Sequence, residues 1–502
     1  MGRAAGVTAG LTVGGSLLGL VRDQAIAHLF GAGAGSDAFL VAWTVPELAA
    51  TVLIEDAMAL LLVPAFSGAL AKGGGAVRAL LAATLPRLAL VLAAAAVVLG
   101  LAAPAVVDVL APGLADPALA IACTRLTAVT VLTFGLTGYL SAALRAHHRF
   151  LPPAAIYVAY NTGIVATLLT LHGRWGVRAA AAGVAIGGAL MVAIQVPSFV
   201  RHVHVRVRPA APPRTRHRLG LALVAPVLVF TVSRQAQVLV ERFFAAPLPA
   251  GAISHLNYAQ KVAQMPMVLS LMICTVTFPA VSRALAEGDR EGARRRVERD
   301  LGLACVVVLL GAAFVIACAP QIVEVLFQRG AFGASDTAAT AAVMRVYALG
   351  LLGQSLVGAL VRPYFSAARP TWYPAGAMGV GLAVTVAVDA ATVGAWGVYG
   401  IAAGNAAGIT VTAALLVRGL GAQTIAVGVR RLTVATARIA AAAAAATAAG
   451  WCVAAALPDP SAALAACCVA VPVTFAAAAT AVGVPEVPYL LAHLKRRLPY
   501  AH

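Results

Sequence analysis

Between Arg87 and Asp108 lie twenty residues, LALVLAAAAVVLGLAAPAVV (88–107), with no charge and no hydrogen-bonding side chain. At 1.5 Å per residue, a helix of that length is about 30 Å long, the thickness of a bilayer's hydrocarbon core. Apolar stretches of this kind recur along all 502 residues. A segment in hydrocarbon must satisfy its own backbone polar groups, and runs this long suit helices, not the roughly ten-residue strands of a barrel. The chain is 61% hydrophobic and only 11% charged, where a soluble domain is about a quarter charged. The fold class is therefore an all-α polytopic membrane protein.

Fourteen spans are predicted, near 5–30, 37–69, 77–101, 118–145, 151–171, 176–200, 218–242, 250–283, 300–319, 338–361, 372–392, 395–418, 432–456 and 461–483. The first apolar run carries charges and has no cleavage pattern, which reads as a retained span. The seven cysteines (Cys123, Cys274, Cys305, Cys318, Cys452, Cys467 and Cys468) lie in apolar runs without metal-ligand spacing; they read as small buried hydrophobes.

Basic residues gather in alternate loops. Lys72 and Arg78 follow span 2, Arg145 and Arg149 follow span 4, and RHVHVRVRPAAPPRTRHR (201–218) follows span 6. RALAEGDREGARRRVERD (283–300) follows span 8, Arg362 and Arg369 span 10, Arg430 and Arg431 span 12, and Lys495–Arg497 closes the chain. Loops after odd spans are nearly bare. The positive-inside rule then puts both termini in the cytoplasm. The formal charge of +18 is accounted for by topology and contact with anionic membrane lipids, which leaves no case for a nucleic-acid partner.

The chain repeats itself. GRWGVRAAAAGVAIGGAL (173–190) is echoed by GAWGVYGIAAGNAAGITV (394–411), and GLTGYLSAALRAHHRF (135–150) by GLLGQSLVGALVRPYF (350–365). Span 6 pairs with span 12, an even shift, so the expected arrangement is two parallel six-helix lobes that rock about a central site. The predicted division is an N-terminal lobe at 1–217, a C-terminal lobe at 218–430, and two further helices with a cytoplasmic tail at 431–502.

An ionised side chain at a helix centre costs about 2.5–3.5 kcal/mol even on insertion scales, so it normally faces a partner or a wet cavity. Interfacial or structural pairing is the expectation for Glu47, Arg125, Arg242 and Arg345. Arg22, Arg234 and Lys261 fall well inside spans 1, 7 and 8. Cations converging there would suit an anion, and an arginine fork suits phosphate. No nucleophile–base set, Walker loop or zinc motif is present, which points to a transporter and not an enzyme.

LLGLVRDQAIAHLFGAGAGSDAFLVAWTVPEL, IEDAMALLLVPAF and YAQKVAQMPMVLSLMICTVTFPAVSRAL resemble the MurJ (MviN) lipid II flippases of the MOP exporter superfamily. The resemblance implies outward movement of an undecaprenyl-pyrophosphate-linked peptidoglycan precursor across a bacterial plasma membrane. It implies substrate-site roles for Arg22, Asp23, Asp37, Glu55 and Lys261, with Arg234 added from this sequence. It also implies a sodium-type cation site at Glu241, Thr385, Asp389, Ile401 (through its carbonyl) and Asn405, an oxygen set suited to a hard ion. No other cofactor is implied. Departures are Ser16, Ala50 and Thr51 where the family carries arginines, Gln260 for an acid, and Lys261 for an arginine. Two other readings stand beside a flippase: a cation-coupled antiporter of small molecules, which the basic residues of spans 1, 7 and 8 oppose, and a transport-inactive scaffold for cell-wall synthesis enzymes, consistent with the lost arginines.

Overall fold

The computed structural model describes residues 2–203, 221–272, 287, 289–365, 371–423 and 428–484. The greater part of the basic segment 201–218, Cys274, Arg369 and Lys495–Arg497 lie outside these residues.

Its elements run α1 (Gly2–Phe30), α2 (Ala34–Ala49), a π-helical segment (Ala50–Asp56), α3 (Ala57–Ala71), α4 (Gly74–Leu101), α5 (Ala103–Leu110), α6 (Pro117–Thr127), α7 (Thr130–Ala146), α8 (Leu151–Trp175) and α9 (Arg178–Val203). After these come α10 (Leu221–Ala245), α11 (Ala252–Ala263), α12 (Arg290–Phe327), α13 (Ala334–Leu349), α14 (Leu351–Phe365), α15 (Tyr373–Trp396), α16 (Val398–Gln423), α17 (Val429–Ala456) and α18 (Pro460–Ala481). Among the described residues ten helices are long and apolar enough to cross a membrane, or eleven if the bent pair α13–α14 is one span. The fourteen predicted spans are compatible with this inventory. The protein is an all-α, multi-pass membrane protein.

Two compact units emerge from the packing: residues 1–254 with 329–332, and residues 255–328 with 333–502. In the first, α8 lies against α9 and α1, and α7 against α9 and α3. Small residues allow the close approach, as is common between membrane helices. A methyl group at Gly187 would sit 2.6 Å from the Tyr160 carbonyl oxygen, and one at Gly183 3.0 Å from Ile164 Cα. Phe66, Val77, Tyr139 and Ala143 form a buried cluster at the α3–α4–α7 contact, with the Phe66 and Tyr139 rings edge to face. In the second unit α15 packs on α16, α17 on α18, and α12 on α13 and α17.

The sequence echo has a backbone counterpart. Gly176 closes α8 at φ 54°, ψ −137°, and Gly397 closes α15 at φ 53°, ψ −129°. Only glycine takes up this region readily, so each Trp-Gly-Val turn joins its two helices in the same way.

Two elements differ from the sequence reading. The predicted span 37–69 is broken by the π segment at Ala50–Asp56, whereas the predicted span 118–145 is one span, Pro117–Ala146, made of α6 and α7. The basic stretch from Arg290 is helical and continuous with α12, not a loop. There Glu291 lies 2.7 Å from Arg294 and 3.5 Å from Arg295, while Glu298 lies 3.9 Å from Arg294. Pairs at this spacing support a helix in water, and the Arg294 hydrogen bond holds the Glu291 carboxyl below its ordinary value. Arg345 fits its structural expectation: its Nε donates to the Ile316 carbonyl at 3.1 Å, and its guanidinium lies 5.2 Å from the Trp451 ring centroid.

A methyl group at Gly176 or Gly397 would meet nothing within 4 Å, so substitution there tests backbone conformation alone. Gly397→Val should destabilise the purified protein by about 1–3 kcal/mol, read as a lower melting temperature, and Gly176→Val should do the same. A neutral effect at both would show that the turn does not need glycine.

Candidate functional site

Arg22 sits two turns before the end of α1, where apolar neighbours force its guanidinium to find partners inside the protein. It is 9% exposed. Nε and Nη2 donate to Asp23 Oδ1 at 3.0 and 2.8 Å, and Nη1 donates to Asn161 Oδ1 at 2.9 Å. Asn161, buried on α8, in turn donates from Nδ2 to the Gly15 carbonyl at 2.9 Å, which returns the network to α1. The guanidinium lies over Trp43 of α2, 4.5 Å from the ring centroid, and Tyr160 and Phe39 meet that ring edge-on. These bonds use one proton of each terminal nitrogen and leave a second on each. The arrangement is a fixed fork able to hold an anionic oxygen pair.

Asp37, in the first turn of α2, is 4% exposed. Its Oδ2 accepts the Gly251 N–H at 2.7 Å, and its Oδ1 accepts the Ser254 N–H at 2.8 Å and the Ser254 hydroxyl at 2.6 Å. It therefore caps the start of α11, where a carboxylate also meets the positive end of the helix dipole. The carboxylate that looked like a substrate contact in the sequence is fastening α2 to that turn. Glu55 is exposed in the π segment and accepts the Tyr157 hydroxyl at 2.7 Å.

The π segment holds the altered family positions Ala50 and Thr51 together with Glu55. Its wide turn brings the Leu53 carbonyl against Gly138 of α7, where any Cβ would collide with it. Arg234 lies exposed on α10. The next residue, Gln235, donates from Nε2 to Thr51 Oγ1 at 3.2 Å, so α10 reaches the place where the family carries an arginine. Glu241 is fully buried further along α10, beside Arg242, whose Nη1 donates to the Ile253 carbonyl at 3.4 Å.

In the second unit Lys261 is half-buried on α11. Thr385, Asp389, Ile401 and Asn405 are all buried, at 0, 0, 0 and 2% exposure, the first two on α15 and the last two on α16, which packs against it. A Cβ at Gly404 would collide with Asp389 Oδ1, and one at Gly408 with Thr385 Oγ1. The glycines of α16 therefore make room for the polar groups of α15. Thr385 donates its proton to the Gly381 carbonyl at 3.2 Å, which leaves its oxygen lone pairs to accept or ligate. Carboxylate, hydroxyl, carbonyl and amide oxygens are the donors a hard cation takes. Among the described residues no three His, Cys, Asp or Glu side chains cluster.

Sequence reasoning missed Asn161, Trp43, Ser254 and Tyr157. Asn161 carried a signal, an amide in the apolar YNTG run of α8; the others had none.

Comparison with known proteins now adds to the geometry. The family model described as lipid II flippase MurJ matches residues 26–459. The chain belongs to the MurJ family of lipid II flippases. A probable lipid II flippase MurJ of Rhizobium meliloti is 28% identical over 401 residues, 76% of this chain and 73% of that one. The lipid II flippase MurJ of Burkholderia cenocepacia is 28% identical over 376 residues, 72% of this chain and 73% of its own. Among solved structures, a lipid II flippase MurJ in an inward closed conformation superposes with a TM-score of 0.76 at 18% identity, covering 94% of this chain and 98% of that one. An inward-facing MATE-family multidrug transporter of the MOP superfamily gives 0.67 at 13% identity, covering 85% and 98%. The fold is thus that of MOP transporters, and the family is one of transporters, not enzymes.

Removing the Asp37 carboxylate orphans buried N–H groups at Gly251 and Ser254, at roughly 1–3 kcal/mol for each donor. Asp37→Ala should therefore melt well below the parent. Asp37→Asn should fall between, because its amide offers one acceptor and sets a donor against a donor on the other side. If Asp37→Ala melts like the parent, the cap is not holding the two helices.

Proposed function

We propose that this protein is a flippase that carries a polyprenyl-pyrophosphate-linked saccharide, lipid II in the first place, from the inner to the outer leaflet by alternating access. It would act in a bacterial plasma membrane with both termini in the cytoplasm. The observation that supports this best is Arg22, a buried guanidinium held by Asp23 and Asn161 against Trp43, at the position of the family's first-helix arginine. A pyrophosphate needs forked donors in a dry setting, and Arg22 has protons left to give. Lys261 would supply a second cation. Arg234, on the helix that reaches Thr51, would stand in for the arginine lost there. Glu55 and Asp23 would set the bases in place, and the undecaprenyl tail would stay among the membrane lipids. Cell-wall synthesis enzymes would supply and consume the substrate.

Sodium would bind in the second unit through Asp389, Thr385, the Ile401 carbonyl and Asn405; Glu241, the fifth residue of the expected set, lies in the first unit. A bound cation, or the membrane potential at about 2.3 kcal/mol per charge per 100 mV, would reset the carrier.

Arg22→Ala should abolish rescue of a bacterium depleted of its own flippase and remove lipid II from the labelled outer leaflet. Arg22→Lys, which keeps the charge and loses the fork, should rescue weakly. Arg234→Ala should lower rescue; full activity in that variant would rule out its compensating role. Failure of the parent chain to rescue while remaining folded in the membrane would favour a scaffold.

Sodium at a hundredfold excess over its Kd should stabilise the purified protein by about 2.7 kcal/mol. Asp389→Asn and Gly404→Ala should remove that shift, the second by pushing a methyl group into the carboxylate. Equal stabilisation by choline would exclude a cation site.

A further inference from the structure

Helix α17 starts at Val429 and α18 finishes at Ala481, and the two pack as an antiparallel pair. Where the start of one meets the end of the other lies a hollow of about 390 Å³ bearing Arg430, Arg431 and Arg438 beside Val434, Ala435 and Val484. Residues 430, 434 and 438 follow one another at a spacing of four, so they form one stripe of α17. All three arginines are exposed, and among the described residues none has a carboxylate within 4.0 Å. Glu298, the carboxylate at this end, accepts the Gly428 N–H at 2.9 Å and lies 3.9 Å from Arg294.

The first turn of α17 holds no acid. Two of its cations therefore sit at the positive end of a helix dipole, where cations are unfavourable unless an anion joins them. Topology accounts for the sign of these charges; it does not gather them around one hollow shared with the end of a second span. Arg438 stands about 12 Å along the helix from Arg430, at the level where α18 ends, so the cations extend from the level of the bilayer surface outward. Deeper in the membrane α17 continues as IAAAAAAATAAG (439–450), a face of small side chains against which an acyl chain can lie flat.

We propose that this hollow is a binding site for an anionic phospholipid of the surrounding leaflet. Arg430, Arg431 and Arg438 hold its phosphodiester, and the alanine face of α17 takes an acyl chain. Forked guanidinium donors fit a phosphate better than point charges do, and each basic side chain near a membrane surface strengthens attraction to anionic lipid by about fivefold. The site is separate from Arg22 and does not depend on what is transported.

The test uses the full chain, purified in neutral detergent and stripped of lipid. Phosphatidylglycerol, phosphatidylcholine and inorganic phosphate are titrated separately, and bound molecules are counted by native mass spectrometry. Phosphatidylglycerol should bind at least about tenfold more tightly than phosphatidylcholine, and inorganic phosphate should not compete. Single Arg→Gln changes at 430, 431 and 438 should each weaken phosphatidylglycerol about fivefold. Arg295→Gln, elsewhere on the basic surface, should leave it unchanged. The triple Arg→Lys variant preserves charge and topology, and should lose part of the affinity even if a glutamine variant fails to fold. Three results would overturn the proposal: equal binding of the two lipids, a triple lysine variant indistinguishable from the parent, or inorganic phosphate displacing the lipid.

Discussion

A charge cannot be left alone in hydrocarbon, and the treatment of Arg22 shows what that constraint does to the rest of the first unit. Neighbours at i and i+1 do not share a helix face, yet the long arginine side chain folds back to meet Asp23. Asn161 then ties the pair to α8 and, through Gly15, to the middle of α1. Trp43 covers one face of the guanidinium. Three helices are thus indexed to one guanidinium, and a network with a bond at each of its nitrogens is stiff because each bond is stronger in a low dielectric. A cation built this way is a positioned group instead of a snorkelling one.

Polar residues elsewhere obey the same constraint by a different route, close packing on glycine. On α15 and α16 the glycines face Asp389, Thr385 and Thr412, so two membrane helices approach closely enough for buried oxygens on one to crowd the backbone of the other. Asp37 uses a third route, capping bare N–H groups at a helix start. Each gives a buried carboxylate or hydroxyl a defined place.

Much of this was legible in the chain itself. Helix class, the approximate spans and the repeat followed from apolar run length and the Trp-Gly-Val echo, because hydrocarbon leaves few alternatives and a glycine-only backbone angle preserves its own signature. Of the residues singled out by burial cost, Arg22 is inside, Lys261 is half-buried and Arg234 is exposed; Asp37, which only the family resemblance pointed to, is buried as well. Their partners were not readable. Asn161 lies 139 positions from Arg22 and Ser254 lies 217 from Asp37, and no local pattern encodes a contact of that range. Helix continuity misled twice. The charged run at Arg290 looked like a loop because its ion pairs, three and four residues apart, were counted as charge alone, and the π segment looked like ordinary helix because the residue its Leu53 carbonyl packs against, Gly138, is on another helix.

That π segment has a geometric consequence for everything that follows it. A turn closed by i→i+5 bonds accommodates one residue more than its α equivalent, and one residue is about 100° of azimuth. The stripe that α2 presents is therefore out of phase with the stripe that α3 presents, as if the rod had been cut and its lower half twisted before rejoining. Orientations projected along an unbroken wheel through 34–71 are wrong below Ala50 by roughly a quarter of a revolution. A chain one residue shorter in this stretch could regain continuous α-helix with its lower face unmoved.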